Sequence, residues 1–120
     1  MSLYENLPVY KKALDLTVYF NTIVIHFNKH YKYTIGADLC NLSRKILIII
    51  ARANLKEDRK LKLIEAIEFL EELKILLHIC KEVKAFNGKK SFGVAVKSVI
   101  EVLKQCEGWL RSQNSSSTKP

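Results

Sequence analysis

Proline is almost missing from this chain: its two copies are Pro8 and Pro120, so residues 9–119 contain none. Only four glycines accompany them. That leaves too few turn positions for an all-β fold, whose short strands need a turn every few residues. The three cysteines, Cys40, Cys80 and Cys106, are odd in number and lack Cys-x-x-Cys spacing. They exclude a disulfide framework and read as packed thiols of a cytoplasmic protein. Long apolar runs are missing too. The longest, Ile46 to Ala51, falls far short of the roughly 20 residues of a membrane span. Glu5, Lys11, Lys12 and Asp15 interrupt the N-terminus, where a secretory signal would be apolar. The expected location is the cytoplasm, with no membrane partner.

What is present is helical periodicity. Pro8 suits the first position of a helix, where no N–H is needed. Val9, Ala13, Leu16, Phe20, Ile23 and Phe27 follow at 4-3-4-3-4 spacing, the seam of a helix packed nearly parallel or antiparallel to its neighbours. This helix is expected to end at Asn28 to His30. A second, capped by Thr34, repeats the pattern at Ile35, Leu39, Leu42, Ile46, Ile49 and Ala53 and ends at Asn54. A third, capped by Asp58, has its seam at Ala66, Phe69, Leu73, Leu76, Cys80 and Val83, widened by Leu63, Ile67, Leu70 and Leu77. Gly88 suits a left-handed residue closing it. A fourth begins between Gly88 and Ser91 and carries Phe92, Val96, Val99, Leu103, Cys106 and Leu110. Short links make consecutive helices antiparallel. The expectation is an all-α, up-down-up-down four-helix bundle, one domain over residues 1–111. The polar residues 112–120 read as a frayed or disordered tail.

Some apolar residues do not fit a monomeric bundle. Ile48 and Leu55 fall on the stripe Asn41, Lys45, Ile48, Arg52, Leu55, and Ile75 and Ile79 fall among Glu68, Glu72 and Glu82. Apolar residues on two outward faces point to a subunit interface, so homo-oligomers are expected.

The net charge of +8 suits a polyanionic partner, nucleic acid before membrane, although a soluble basic surface accounts for the total equally well. Its distribution is uneven: residues 1–30 carry +1, residues 31–57 +3, residues 58–88 zero and residues 89–120 +4. Lys90, Lys97, Lys104 and Arg111 recur every seven residues, a row of about 31 Å at helical rise, long enough to follow several phosphates. Arg44, Lys45 and Arg52 bracket the apolar centre of the second helix. These seven are the candidate nucleic-acid contacts; the ordinary solvated face of a bundle is the competing account.

Catalytic chemistry is hard to assemble. His26 and His30 are four apart but have no third ligand, and no histidine follows a Glu-x-x pattern, so a bundle metal site is not expected. No glycine-rich phosphate loop or Ser/His/Asp set is present. Neither a cofactor nor enzyme activity is expected. Tyr4, Tyr10, Tyr19, Tyr31 and Tyr33 crowd the N-terminal third; they are expected to fill a bundle end rather than stack on bases.

Several stretches resemble known families. ENLPVYKKALDL, Glu5 to Leu16, resembles the opening of four-helix proteins encoded in intervening sequences of bacterial large-subunit ribosomal RNA. IIIARAN, Ile48 to Asn54, departs from their proline-containing second helix. It resembles instead the accessory variability determinant of diversity-generating retroelements, a relative of the same fold. FNKHYKYTIG, Phe27 to Gly36, resembles a segment of that family, with Asn28 in place of a proline and Tyr31 in place of an acid. Gly108-Trp109-Leu110-Arg111 resembles its Gly-Trp-Leu-Lys ending.

The resemblance implies a basic homopentamer that binds RNA, and possibly DNA, with little sequence preference and associates with a retroelement reverse transcriptase. Such a protein catalyses nothing itself. It supports adenine-directed mutagenic copying of a template repeat into a variable gene by holding polymerase and template RNA together. The alternative is the ribosomal RNA intervening-sequence type of bundle, with ribosomal RNA association or a structural protein-interaction role.

Overall fold

Pro8 opens the first long helix, α1 (Pro8–Ile23). The computed structural model describes residues 4–55 and 57–118. After α1 come a single-turn helix α2 (Lys29–Lys32), then α3 (Ile35–Ala53), α4 (Arg59–Glu82) and α5 (Ser91–Thr118), with 3-10 turns at Tyr4–Asn6 and Val24–His26. No strand occurs among the described residues. The four long helices form one globule in which α1 and α4 each pack mainly against α3 and α5. Its extents are 55 × 28 × 20 Å.

The core is built as the spacing requires. Val9, Ala13, Leu16 and Phe20 of α1 are buried against Leu39, Leu42, Ile46 and Ile49 of α3, with Val99, Val102 and Cys106 of α5 in the same cluster. In α4 the seam is rotated from the expected one. Leu63, Ala66, Leu70, Leu73, Leu77 and Cys80 are fully buried, whereas Phe69 and Leu76 are half-buried and Val83 is exposed. On α5 the rotation is similar: Ala95 and Val102 are buried, and Phe92, Val96 and Leu110 only partly so. Leucines with a few small residues fill the buried positions of α4, and the aromatic rings of Phe69 and Phe92 stand half-buried at the flanks of α4 and α5.

The ends differ more from expectation. α1 does not reach His30: it stops at Ile23, a 3-10 turn follows, and Phe27 turns extended at φ −63°, ψ 152°. Phe27 is still buried, its ring edge-on to Phe86 at 5.2 Å. Asn28 restarts the helical chain, its Oδ1 accepting from the His30 N–H at 3.0 Å, a cap in the ordinary sense. Thr34 and Asp58 precede α3 and α4 but make no side-chain cap. Thr34 instead lies with its hydroxyl 3.4 Å from the His30 carbonyl, and Asp58 is left-handed at φ 58°. Gly88 does not close α4. The chain turns earlier, at Lys84 with φ 60°, where the Ala85 N–H donates to Cys80 O at 2.9 Å and the Lys84 N–H to Lys81 O at 3.1 Å. Those two bonds make a Schellman motif with lysine where glycine is usual. At the other end α5 runs on to Thr118, into the polar tail that begins at Ser112. Residues 119 and 120 of that tail lie outside the described residues.

One side chain, Arg59, locks three of the long helices together. Arg59 reaches back from α4 to the end of α3, its Nε donating to Ala53 O and its Nη2 to Asn54 O, both at 2.8 Å. Its guanidinium carbon also lies 5.3 Å from the centre of the Trp109 ring on α5. Gly36, buried in the first turn of α3, lets the preceding segment lie against the helix. A Cβ there would come within 2.8 Å of Val24 Cγ1 and 3.0 Å of Tyr31 O.

Candidate nucleic-acid interface

The seven basic residues singled out by sequence are arranged in two separate sets. Arg44, Lys45 and Arg52 are exposed on α3. Arg44 donates to Asn41 Oδ1 at 3.0 Å, and the Lys45 ammonium rests 4.6 Å from the Phe69 ring centre. Lys97, Lys104 and Arg111 are exposed along α5, while Lys90 sits in the turn just before it, its carbonyl accepting from the Val94 N–H. α3 and α5 both flank α1 and α4, so the two sets lie on different corners and do not converge.

The α5 row is also weaker than its spacing suggests. Glu101 and Glu107 lie between its members on the same helix, and Glu101 pairs with Lys12 at 3.2 Å. Over residues 91–114 the net charge is only +1. The denser field lies at one end of the bundle, where the α1–α3 link meets the α4–α5 loop. Lys29 and Lys32 come from the first segment, and Lys81, Lys84, Lys89 and Lys90 from the second. Against Glu82 alone they leave +5 of the chain's +8. None of the six forms an ion pair among the described residues, where the paired lysines are Lys12, Lys62 and Lys74. Sequence reasoning by helical rows missed this set because its members come from two segments some fifty residues apart, the short α2 and the end of α4 with the loop that follows it.

The apolar candidates stand where they were expected. Ile48, Leu55, Ile75 and Ile79 are 45%, 60%, 62% and 44% exposed. Ile48 and Leu55 line a groove of about 390 Å³ with Tyr4, Tyr10, Leu47, Ala51 and Arg52. Leu61 and Ile64 add to the outer side of α4 and are likewise exposed; the recurrence of Leu61, Glu68, Ile75 and Glu82 every seven residues was their signal. Of the tyrosines, Tyr31 packs against the core and Tyr33 is 74% exposed. Tyr4 and Tyr10 pack on each other, ring centres 4.8 Å apart. The tyrosines therefore do not form one cluster.

No family model, curated protein or solved structure matches this chain. The site has to be judged on its own chemistry. His26 and His30 fall in separate turns either side of extended Phe27, and no group of three metal-ligating side chains occurs among the described residues. No helix among them is long and apolar enough to cross a membrane.

The thiols are held neutral. Burial, helped by the Glu107 charge, pushes Cys106 up to about 12, and burial with the Asp38 charge pushes Cys80 up to about 11, both from 9.0. Burial raises Cys40 as well, opposed by Arg44. Raised folded values mean that these thiols favour folding fully below pH 9 and that this contribution is lost as pH climbs toward 11 and 12, because the unfolded chain ionises first. Urea unfolding at pH 8 and at pH 10.5 should show lower stability at the higher pH. Serine at Cys80 and Cys106 should remove much of that difference; an unchanged difference would locate the alkaline loss elsewhere.

Proposed function

We propose that this chain is a non-catalytic, basic nucleic-acid-binding accessory subunit of a retroelement reverse transcriptase, acting as a homo-oligomer that holds template RNA near the polymerase. The observation that carries the nucleic-acid part is the set of six cations without carboxylate partners, all but half-buried Lys32 exposed, gathered at one end of the bundle. Uncompensated fields of one sign attract polyanions and speed their encounter. The polymerase partner rests on the resemblance of the Ile48–Asn54 and Gly108–Arg111 stretches. The cytoplasmic location rests on the unpaired cysteines, short apolar runs and charged N-terminal residues, and the absence of catalysis on the lack of a catalytic set together with that resemblance.

The helices are taken to alternate up and down. Lys12 with Glu101 and Tyr19 with Ser91 pair α1 and α5 in opposite order. Arg59 with Trp109 and Lys81 with Phe92 do the same for α4 and α5. Assembly is taken to use the outer sides of α3 and α4. The first carries Arg44, Ile48 and Arg52, with Leu55 just past its end; the second carries Leu61, Glu68, Glu72, Ile75 and Ile79. Apolar residues face apolar residues and arginine faces glutamate when α4 of one copy meets α3 of the next. Such a head-to-tail contact closes into a ring when the rotation between neighbours divides a full turn, the pentamer of the resembled family being one solution.

Fluorescence anisotropy with labelled RNA tests the reading. Binding should weaken steeply with salt, each neutralised phosphate adding about 0.7 to the log–log slope on a single strand. With about six phosphates neutralised, affinity should fall by more than a hundredfold between 50 and 200 mM salt. No binding at about 50 mM salt would reject it. Light scattering at the 13.8 kDa of one chain would reject the assembly.

A further inference from the structure

We propose that the loop pole of the bundle is a seat for an unpaired nucleotide of single-stranded RNA. The bases would lie against the Phe86–Phe92 wall, with the phosphates held by Lys81, Lys84 and Lys89. The inference rests on the nucleic-acid reading above and assigns it a place off the α5 row.

The α4–α5 loop forms a groove of about 670 Å³ lined by Lys81, Lys84, Phe86, Asn87, Lys89 and Phe92, with Gly88 and Gly93 in its wall. That volume is within the usual range for a small-molecule site. Its chemistry is the pairing that single strands need, cations for the backbone and flat rings for the bases. The Lys81 ammonium rests 4.8 Å from the Phe92 ring centre. It covers a π face that a base can take, and is itself free to move to a phosphate. Phe86 and Phe92 stand edge to face, centres 6.0 Å apart, so the wall is anchored to the core at Phe27. A Cβ on Gly93 would meet nothing within 4 Å, leaving the mouth open. Asn87 adds an amide able to donate to and accept from a base edge.

The groove does not stand alone. A second one, about 220 Å³, shares Phe86, Asn87 and Gly88 and continues past Ser91 to His26 and Ile23. The Asn28 N–H donates to Ala85 O at 3.3 Å, so the segment that brings Lys29 and Lys32 is joined to the loop that forms the groove. A strand leaving the groove meets further lysines. Lys84 strengthens the assignment: it keeps a long cation in a left-handed position that glycine fills more cheaply. Duplex RNA fits the pole poorly, because its bases are already stacked and its deep groove hides their edges.

The test compares three proteins with a labelled single strand of about twenty nucleotides, its duplex, and phosphatidylserine vesicles. Lys81→Gln/Lys84→Gln/Lys89→Gln should lower single-strand affinity about thirtyfold at moderate salt and flatten the log–log slope by about 2. Lys97→Gln/Lys104→Gln/Arg111→Gln should lower it by less than about threefold. Phe92→Leu, with unchanged circular dichroism, should cost about fivefold by losing the stacking face. If the pole triple binds as the unaltered chain does while the row triple loses affinity, the seat is wrong and the nucleic-acid reading stands. If the unaltered chain binds no RNA, both fall together. Duplex bound as tightly as single strand, or vesicle binding lost in the pole triple with RNA binding intact, overturns the proposal.

Discussion

Replacing Arg59 by alanine is expected to lower the unfolding free energy by about 3 kcal/mol. The Arg59 guanidinium donates to two carbonyls at the end of α3 and lies against Trp109 of α5, so one side chain ties three helices. The last carbonyls of a helix have no partner within it, and a cation there satisfies both their hydrogen bonding and the helix dipole. Charge-assisted hydrogen bonds each contribute about 1.5–3 kcal/mol, and a cation over an aromatic face about 0.5–1. Arg59 is only half-buried, which lets water replace part of the loss and keeps the estimate near the lower sum. Arg59→Lys retains the charge but not the planar fork that reaches both carbonyls, and is expected to recover less than half. Urea denaturation followed by circular dichroism measures both. A loss under about 1 kcal/mol would mean that water satisfies the carbonyls as well as arginine does.

Gly36→Val is expected to be more damaging still, with Gly36→Ala as the graded control. In an ordinary helix alanine is favoured over glycine by roughly 1 kcal/mol. Here that gain is opposed by a Cβ within 2.8 Å of Val24 Cγ1, 3.0 Å of Tyr31 O and 3.2 Å of Phe27 Cδ2. Two of these atoms belong to buried residues and the third is backbone, so little can move aside. Overpacking of this kind costs about 1–3 kcal/mol for small additions and more for larger ones. Gly36→Ala should therefore lose about 1 kcal/mol net, and Gly36→Val about 3 or more, read from thermal and urea unfolding. Stabilisation by alanine would show that the Val24–Tyr31 segment can lift from α3, and would weaken the case for a rigid loop pole.

What could be read from sequence, and what could not, divides by the range of the signal. The seams of α1 and α3 were legible because their apolar residues recur at 3-4 spacing, even though Leu14, Val18 and Ile48 interrupt the outward faces. On α4 the same residues supported two adjacent seams, Phe69/Leu76 or Leu70/Leu77; only the packed helices choose, and they bury the second pair. The end of α4 misled because a glycine was available at Gly88, while the turn was made four residues earlier by Lys84. Arg59 gave no local sign of its role, since its carbonyl partners belong to another helix and its ring partner to a third. Exposure of Ile48, Leu55, Ile75 and Ile79 was foreseeable from helical phase alone. The lysine pole was not: periodicity finds rows on one long helix, whereas the pole joins two connecting segments that meet only after folding.

That meeting is made by one main-chain hydrogen bond beside the Phe27–Phe86 ring contact. Asn28 contributes its N–H and Ala85 its carbonyl, atoms that every residue but proline at the donor position supplies. That hydrogen bond is blind to the lysine side chains around it, and the packing of the joint comes from the Phe27–Phe86 ring contact, which no lysine takes part in. Lysines at either loop can be gained, lost or exchanged for other residues while the scaffold between them keeps its shape. What the pole attracts is free to drift under selection without a matching loss of form, and the same freedom lets its affinity be re-engineered one charge at a time.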